Sequence, residues 1–125
     1  MQTEEISDLV RQRGTFNSAE EARKATAEVL TVLASRDLGG EAKNLAAQLP
    51  PEFGDLLRQE GQQAETFGAD EFLKRLQDKL NQTEEDAEKT ARAVLSSVTD
   101  AVNPDERASF VNALPQDLSG YARWS

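Results

Sequence analysis

The sequence predicts an all-α fold: a compact helical domain of two pseudo-symmetric repeats, about four helices each, with no sheet. Three observations predict it. No stretch alternates apolar and polar residues with period two, the pattern of a half-buried strand. Apolar residues instead recur at i, i+3 and i+4 behind polar residues suited to capping a helix. The chain also repeats itself. Residues 18–59 slide onto 83–124 without a gap, pairing Glu20 with Glu85, Ala22 with Ala87, Lys24 with Lys89 and Val29-Leu30 with Val94-Leu95. The same register pairs Glu41 with Glu106, Leu49-Pro50 with Leu114-Pro115 and Arg58 with Arg123. Agreement of apolar, acidic and turn positions over about forty residues marks an internal repeat.

Taken in order, Thr3 is placed to cap a first helix over 3–13, with Glu4 and Glu5 at its positive end. Ile6, Leu9 and Val10 form its apolar face, Gly14 stops the run, and Phe16 plugs the core over that turn. Ser18 and Glu21 make a capping box for a helix over 18–36, whose stripe is Ala22, Thr26, Val29, Leu30 and Leu33. Thr83 opens its counterpart over 83–102, with Ala87, Ala91, Val94, Leu95, Val98 and Val102. These two are expected to be the central pair. Leu38-Gly39-Gly40-Glu41 breaks the first, and Asn103-Pro104-Asp105-Glu106 breaks the second.

Short helices follow at 40–48 and 104–113, carrying Ala42, Leu45, Ala46 and Leu49 in one copy and Ala108, Val111 and Leu114 in the other. The rings of Pro50 and Pro115 disfavour helical backbone at Leu49 and Leu114, so each short helix ends there and the proline begins the next, over 51–59 and 116–124. Phe53, Leu56 and Leu57 point inward in the first, and Leu118, Tyr121 and Trp124 in the second. Between the copies, polar Gln59 to Glu65 reads as a linker. Gly68 then caps a helix over 68–80 with Phe67 and Phe72 as a hydrophobic staple and Phe72, Leu73, Leu76 and Leu80 as its stripe. The domain assignment is one helical domain over 1–125, with copy one at 1–59, a linker at 60–66 and copy two at 67–125.

Composition excludes several functions. The chain has 125 residues, no Cys and no His, which removes disulfides, thiolate metal sites, the commonest metal ligand and the commonest general base. Its net charge of −9 is shared by both halves and leaves no basic patch for phosphates, so nucleic acid is not an expected partner. No apolar run is long enough to span a membrane, and the acidic start Met1-Gln2-Thr3-Glu4-Glu5 is unlike a signal peptide, so the expected location is cytoplasmic.

Several motifs in fixed order resemble the bacterial family called domain of unknown function 2267. They are Asp70-Glu71-Phe72-Leu73 through Leu76, Glu84 to Leu95, Gly39-Gly40-Glu41, and Ala47-Gln48-Leu49-Pro50 through Leu57. The resemblance covers nearly the whole chain as two copies. The first helix departs from it, with Glu5-Ile6-Ser7-Asp8-Leu9-Val10 where the family tends to place an aromatic-Leu pair. The resemblance implies a small all-α protein and no activity, since the family offers no catalytic residues to carry over.

Each candidate site has a plainer structural reading. Glu84-Glu85-Asp86 with Glu88 is an acidic cluster, but acids on the opening turn of a helix fan around its axis and complement the helix dipole rather than converge on a cation. Asp37-Leu38-Gly39-Gly40-Glu41 lacks the alternating oxygens of a calcium loop. Ser7, Ser35, Ser96, Ser97 and Ser109 have neither a His nor a nucleophile elbow. Lys24 and Lys89 recur as solvated charges beside Glu20, Glu28 and Glu85, rather than as buried nucleophiles. Tyr121, Arg123 and Trp124 close the core of copy two, although such a tail also suits stacking on a ligand.

No catalytic, cofactor-binding or metal residue is therefore assigned. The expected function is a non-enzymatic protein-interaction or regulatory module, its partner another protein, with a homo-oligomer compatible. The alternative is a small-molecule or lipid binder with an apolar pocket between the repeats. A hydrolase using an Asp/Glu pair ranks third.

Overall fold

The chain runs α1 (Thr3–Gly14), α2 (Ala19–Ala34), α3 (Ala42–Ala47), α4 (Pro51–Arg58), α5 (Ala69–Leu80), α6 (Glu84–Ala101) and α7 (Arg107–Ala113), with 3-10 helix at Pro104–Glu106 and Gln116–Ala122. The computed structural model describes residues 2–36, 41–58 and 65–124, and no strand occurs among them. One isolated parallel bridge brings Glu65 beside Arg36, the Glu65 N–H donating to the Ser35 carbonyl at 3.1 Å. The break at 37–40 and linker residues 60–64 lie outside the described residues.

The start signals work as side-chain chemistry requires. Ser18 Oγ accepts from the Glu21 N–H at 3.1 Å, Thr83 Oγ1 from the Asp86 N–H at 3.2 Å, and Asn103 Oδ1 from the Asp105 N–H at 3.0 Å. Glu21 completes its box one residue early, accepting from the Asn17 N–H rather than from Ser18. Gly68 caps α5 without a side chain.

Four expectations about helix ends and faces need correction. Thr3 is the first helical residue and not a cap; Gln2 holds that place and supplies no side-chain bond. Gly14 does not stop α1. It is the last helical residue, and a Cβ there would overlap the ring of Phe16, which folds back over it. The left-handed residue that ends the helix is Thr15, φ 56°. Pro50 and Pro115 sit at cap positions, their carbonyls accepting from Phe53 and Leu118, while Pro51 occupies the first turn of α4. Ala108 is exposed, the inward positions of α7 being Phe110 and Ala113.

The last element is 3-10 throughout, where an α-helix is expected. Gln116 stands where α4 has the preorganising Pro51, and Ser119-Gly120 is a poor helix-forming pair. Ser119 Oγ bonds the Gln116 carbonyl at 2.8 Å, and Arg92 takes the Gly120 and Arg123 carbonyls, each at 3.0 Å. With those acceptors engaged, the tighter winding is satisfied from outside the segment.

The core lies between layers. α2 and α6 touch each other, and α1 and α5 each pack on both. α4 packs on α2 and on α3; the 3-10 segment Gln116–Ala122 packs on α6 and on α7; and α3 meets α7. Val29, Leu30 and Leu33 of α2, Val94, Leu95 and Val98 of α6, Ile6, Phe53, Phe72, Leu76 and Leu118 are all buried. At about 1.5–3 kcal/mol for each fully buried large side chain, this single cluster is the main source of stability. Polar ties cross it. Arg13 at the end of α1 donates to Ser96 at 3.0 Å and Asp100 at 2.7 Å, fixing α1 against α6.

Candidate functional site

The chemistry-bearing side chains singled out from the sequence do not converge. Glu84, Glu85 and Asp86 are exposed on the first turn of α6 and Glu88 just beyond it, and no group of three or more potential metal ligands occurs among the described residues. Glu41 instead accepts from the Asn44 amide at 2.9 Å. Lys24 and Lys89 are exposed; among the described residues the Lys89 ammonium reaches Thr15 Oγ1 alone, at 3.5 Å. Ser35 bonds the Val32 carbonyl and Ser96 the Ala93 carbonyl, local ties within a helix. Tyr121 is half-buried under the Arg92 guanidinium, 5.1 Å from its ring centroid, and burial raises its pKa. Trp124 is 39% exposed, with Arg13 5.8 Å above its ring. Of the three tail residues expected to close the core only Tyr121 packs against it; Arg123 and Trp124 are exposed, because the 3-10 segment ends at Ala122 and the chain runs on in extended form at Arg123.

What the sequence does not announce is a groove of about 650 Å³ bounded by α1, α2 and α4. All three helices come from the first half of the chain, so this groove is not one between the halves. Its apolar lining is Ala19, Ala27, Phe53 and Leu56. Phe53 is fully buried where α4 packs on α2 and α3, and the approach to α3 depends on Gly54, where a Cβ would stand 2.8 Å from the Ala46 carbonyl oxygen.

Ser7, from α1, also lines the groove. It is 4% exposed, and its hydroxyl has no hydrogen-bond partner among the described residues. A buried hydroxyl left unpaired costs about 1–3 kcal/mol, so its presence in an otherwise apolar face calls for an explanation beyond packing. Sequence periodicity put Leu9 on that face instead; Leu9 is only half-buried, while Ile6, Ser7 and Val10 face inward.

The rim is charged. Arg23 Nε donates to Glu52 Oε2 at 2.7 Å and a terminal nitrogen donates to the other oxygen, a forked pair joining α2 to α4. Glu52, and more weakly Glu4, hold the Arg23 guanidinium above its ordinary pKa. Around this pair stand Glu4, Asp8 and Glu20, none ion-paired among the described residues, and Lys24. Three carboxylates against one uncommitted cation make the mouth net acidic. Among the described residues that line the groove there is no Ser, Cys or Lys beside a His base, and no group of three potential metal ligands occurs.

No helix among the described residues is long and apolar enough to cross a membrane. No curated protein matches the chain. The family model described as "Uncharacterized conserved protein (DUF2267)" matches residues 3–121, and the chain belongs to that family.

Proposed function

We propose that this member of the DUF2267 family is a non-enzymatic interaction module that holds a protein partner in the groove on α1, α2 and α4. The observation that carries the reading is the groove itself, about 650 Å³ with an apolar lining, an unpartnered buried hydroxyl at Ser7 and an acidic mouth. A site with these parts offers burial and hydrogen bonding to a guest and offers no group to activate it. A chain of two copies of one four-helix unit supplies the rigid frame. In support of that view, exchanging α1 with α5, α2 with α6, α3 with α7, and α4 with Gln116–Ala122 leaves most of the packing partnerships unchanged.

The test is comparative capture from the native host, using the full chain and an Ala27→Arg variant that fills the groove. Ala27 is only half-buried, so the variant is expected to fold. A protein retained by the parent and lost from the variant, at equal melting temperature, supports the reading. Identical retained sets overturn it.

A further inference from the structure

We propose that the groove takes a segment of a partner protein that presents an arginine next to an aromatic or large aliphatic side chain. This rests on the reading above, that the groove binds a protein.

Helices α1 and α5 are each twelve residues long. Each ends in a left-handed residue, Thr15 or Asn81, and each buries three residues in one pattern: Ile6, Ser7 and Val10 in α1, and Phe72, Leu73 and Leu76 in α5. Matching these ends and buried faces sets Ser7 against Leu73. In the register that pairs Val29-Leu30 with Val94-Leu95, Ala27 stands against Arg92 and Leu56 against Tyr121. At all three positions the first half has the smaller side chain, and all three line the groove.

In the second half two of those larger side chains, Arg92 and Tyr121, meet each other. Arg92 lies over the Tyr121 ring at 5.1 Å and donates to the Gly120 and Arg123 carbonyls at 3.0 Å each. Tyr121 also has Glu88, Asp70 and Asp117 as neighbouring charges; Arg23 stands at the first of these places in the groove, and Glu4 and Glu52 at the other two. A guanidinium stacked on a phenol among carboxylates is thus the filling that this architecture accommodates in its own chain. Where Ala27 and Leu56 replace that filling, the room is left open. Arg23 stands in place of Glu88 and engages Glu52, yet the mouth stays net acidic, since Glu4, Asp8 and Glu20 face a guest with no ion pair among the described residues.

Ser7 adds a second, independent observation. At the place of an apolar Leu73 it puts, in a residue that lines the groove, a buried hydroxyl with no hydrogen-bond partner among the described residues, which a guest's peptide group reaches once the lining moves aside. Charge complementarity selects a cation, and the apolar lining selects a side chain with a body beside it.

The full chain titrated with the capped dipeptide acetyl-Arg-Tyr-amide, followed by proton–nitrogen correlation spectra, tests this. The expected result is a set of saturable shifts centred on Ser7, Ala27 and Leu56, absent in Ala27→Arg and reduced in Ser7→Leu. Replacing arginine by neutral citrulline should weaken binding at least roughly tenfold, and Asp8→Asn with Glu20→Gln should weaken it by a similar factor, since each removes a charge-assisted contact. No shifts, shifts centred elsewhere, or equal binding of the citrulline peptide would overturn the assignment. Equal binding of free agmatine would overturn the peptide as the source. If Ala27→Arg abolishes capture of a native partner while the dipeptide gives no shifts, the groove still binds a protein and only the arginine assignment falls. If the variant changes neither, both readings fall.

Discussion

Thr15 and Asn81 hold the same backbone conformation, φ 56° and φ 54°, and each ends a twelve-residue helix. Asn tolerates left-handed backbone because its short polar side chain bonds locally; a β-branched Thr does so poorly. Thr15→Asn or Thr15→Gly should therefore raise stability by about 1 kcal/mol, and Asn81→Thr should lower it by a similar amount. Urea denaturation with unchanged slope reads this directly. A Thr15→Gly variant less stable than the parent would show that the Thr15 hydroxyl, which bonds the Gly14 carbonyl, outweighs the backbone strain.

Leu49 and Leu114 are 8% and 4% exposed and lead into the prolines that redirect the chain. Truncating either to Ala should cost roughly 2–5 kcal/mol through the cavity left behind. Pro50→Ala should cost about 1 kcal/mol or less, because Pro50 sits at a cap where its carbonyl is used and no N–H is required. If both leucine variants melt within a degree or two of the parent, the structural role of the Leu-Pro pair is wrong.

Arg36 and Asp117 make a forked ion pair at 3.0 and 2.8 Å between the end of α2 and the start of the last segment. The Arg36 hydrogen bond, opposed in part by desolvation, holds the Asp117 carboxyl below its ordinary value of 3.8. A depressed folded pKa means that the contribution is full above the unfolded value and is lost as pH falls below it through the folded one. Asp117→Asn should thus cost on the order of 1 kcal/mol near neutral pH, as a partly exposed pair does. That difference should shrink as melting is measured at successively lower pH below about 4. A difference that stays constant to pH 3 would mean that the pair contributes nothing.

Ser97 is fully buried on α6, and its hydroxyl lacks a hydrogen-bond partner among the described residues. Its counterpart in the first half is Val32. Ser97→Ala should be neutral or should stabilise by up to about 1 kcal/mol, since it removes an unpaired polar group at little loss of volume. Calorimetry showing a loss larger than about 1 kcal/mol would reveal a bond through a buried water.

The helices and their limits were legible because caps, prolines and apolar spacing act locally. Ser18, Thr83 and Asn103 bond where their positions in the sequence require. Thr3 and Gly14 misled because their neighbours outcompeted them: Gln2 took the cap, and Phe16 needed the space above Gly14. The winding of Gln116–Ala122 depended on Arg92, distant in sequence, reaching its carbonyls. The groove escaped for a related reason. Ser7 reads as one polar residue among many until α1 is matched to α5, and that match needs a register one residue away from the one that aligns the rest. A concavity made by side chains that are too small leaves no motif.

Because α1 and α5 each cover both α2 and α6, neither half can shield its own long helix without borrowing from the other. A polypeptide of residues 1–58 alone would expose the stripe that α5 and α6 now bury, and it should either fail to melt cooperatively or self-associate about a two-fold axis. Such a pair would be isologous, and its folding would depend on concentration. Tethering the halves makes the association intramolecular and independent of dilution. It also frees the two outer faces from being identical, so that one can be closed by its own arginine and tyrosine while the other stays open.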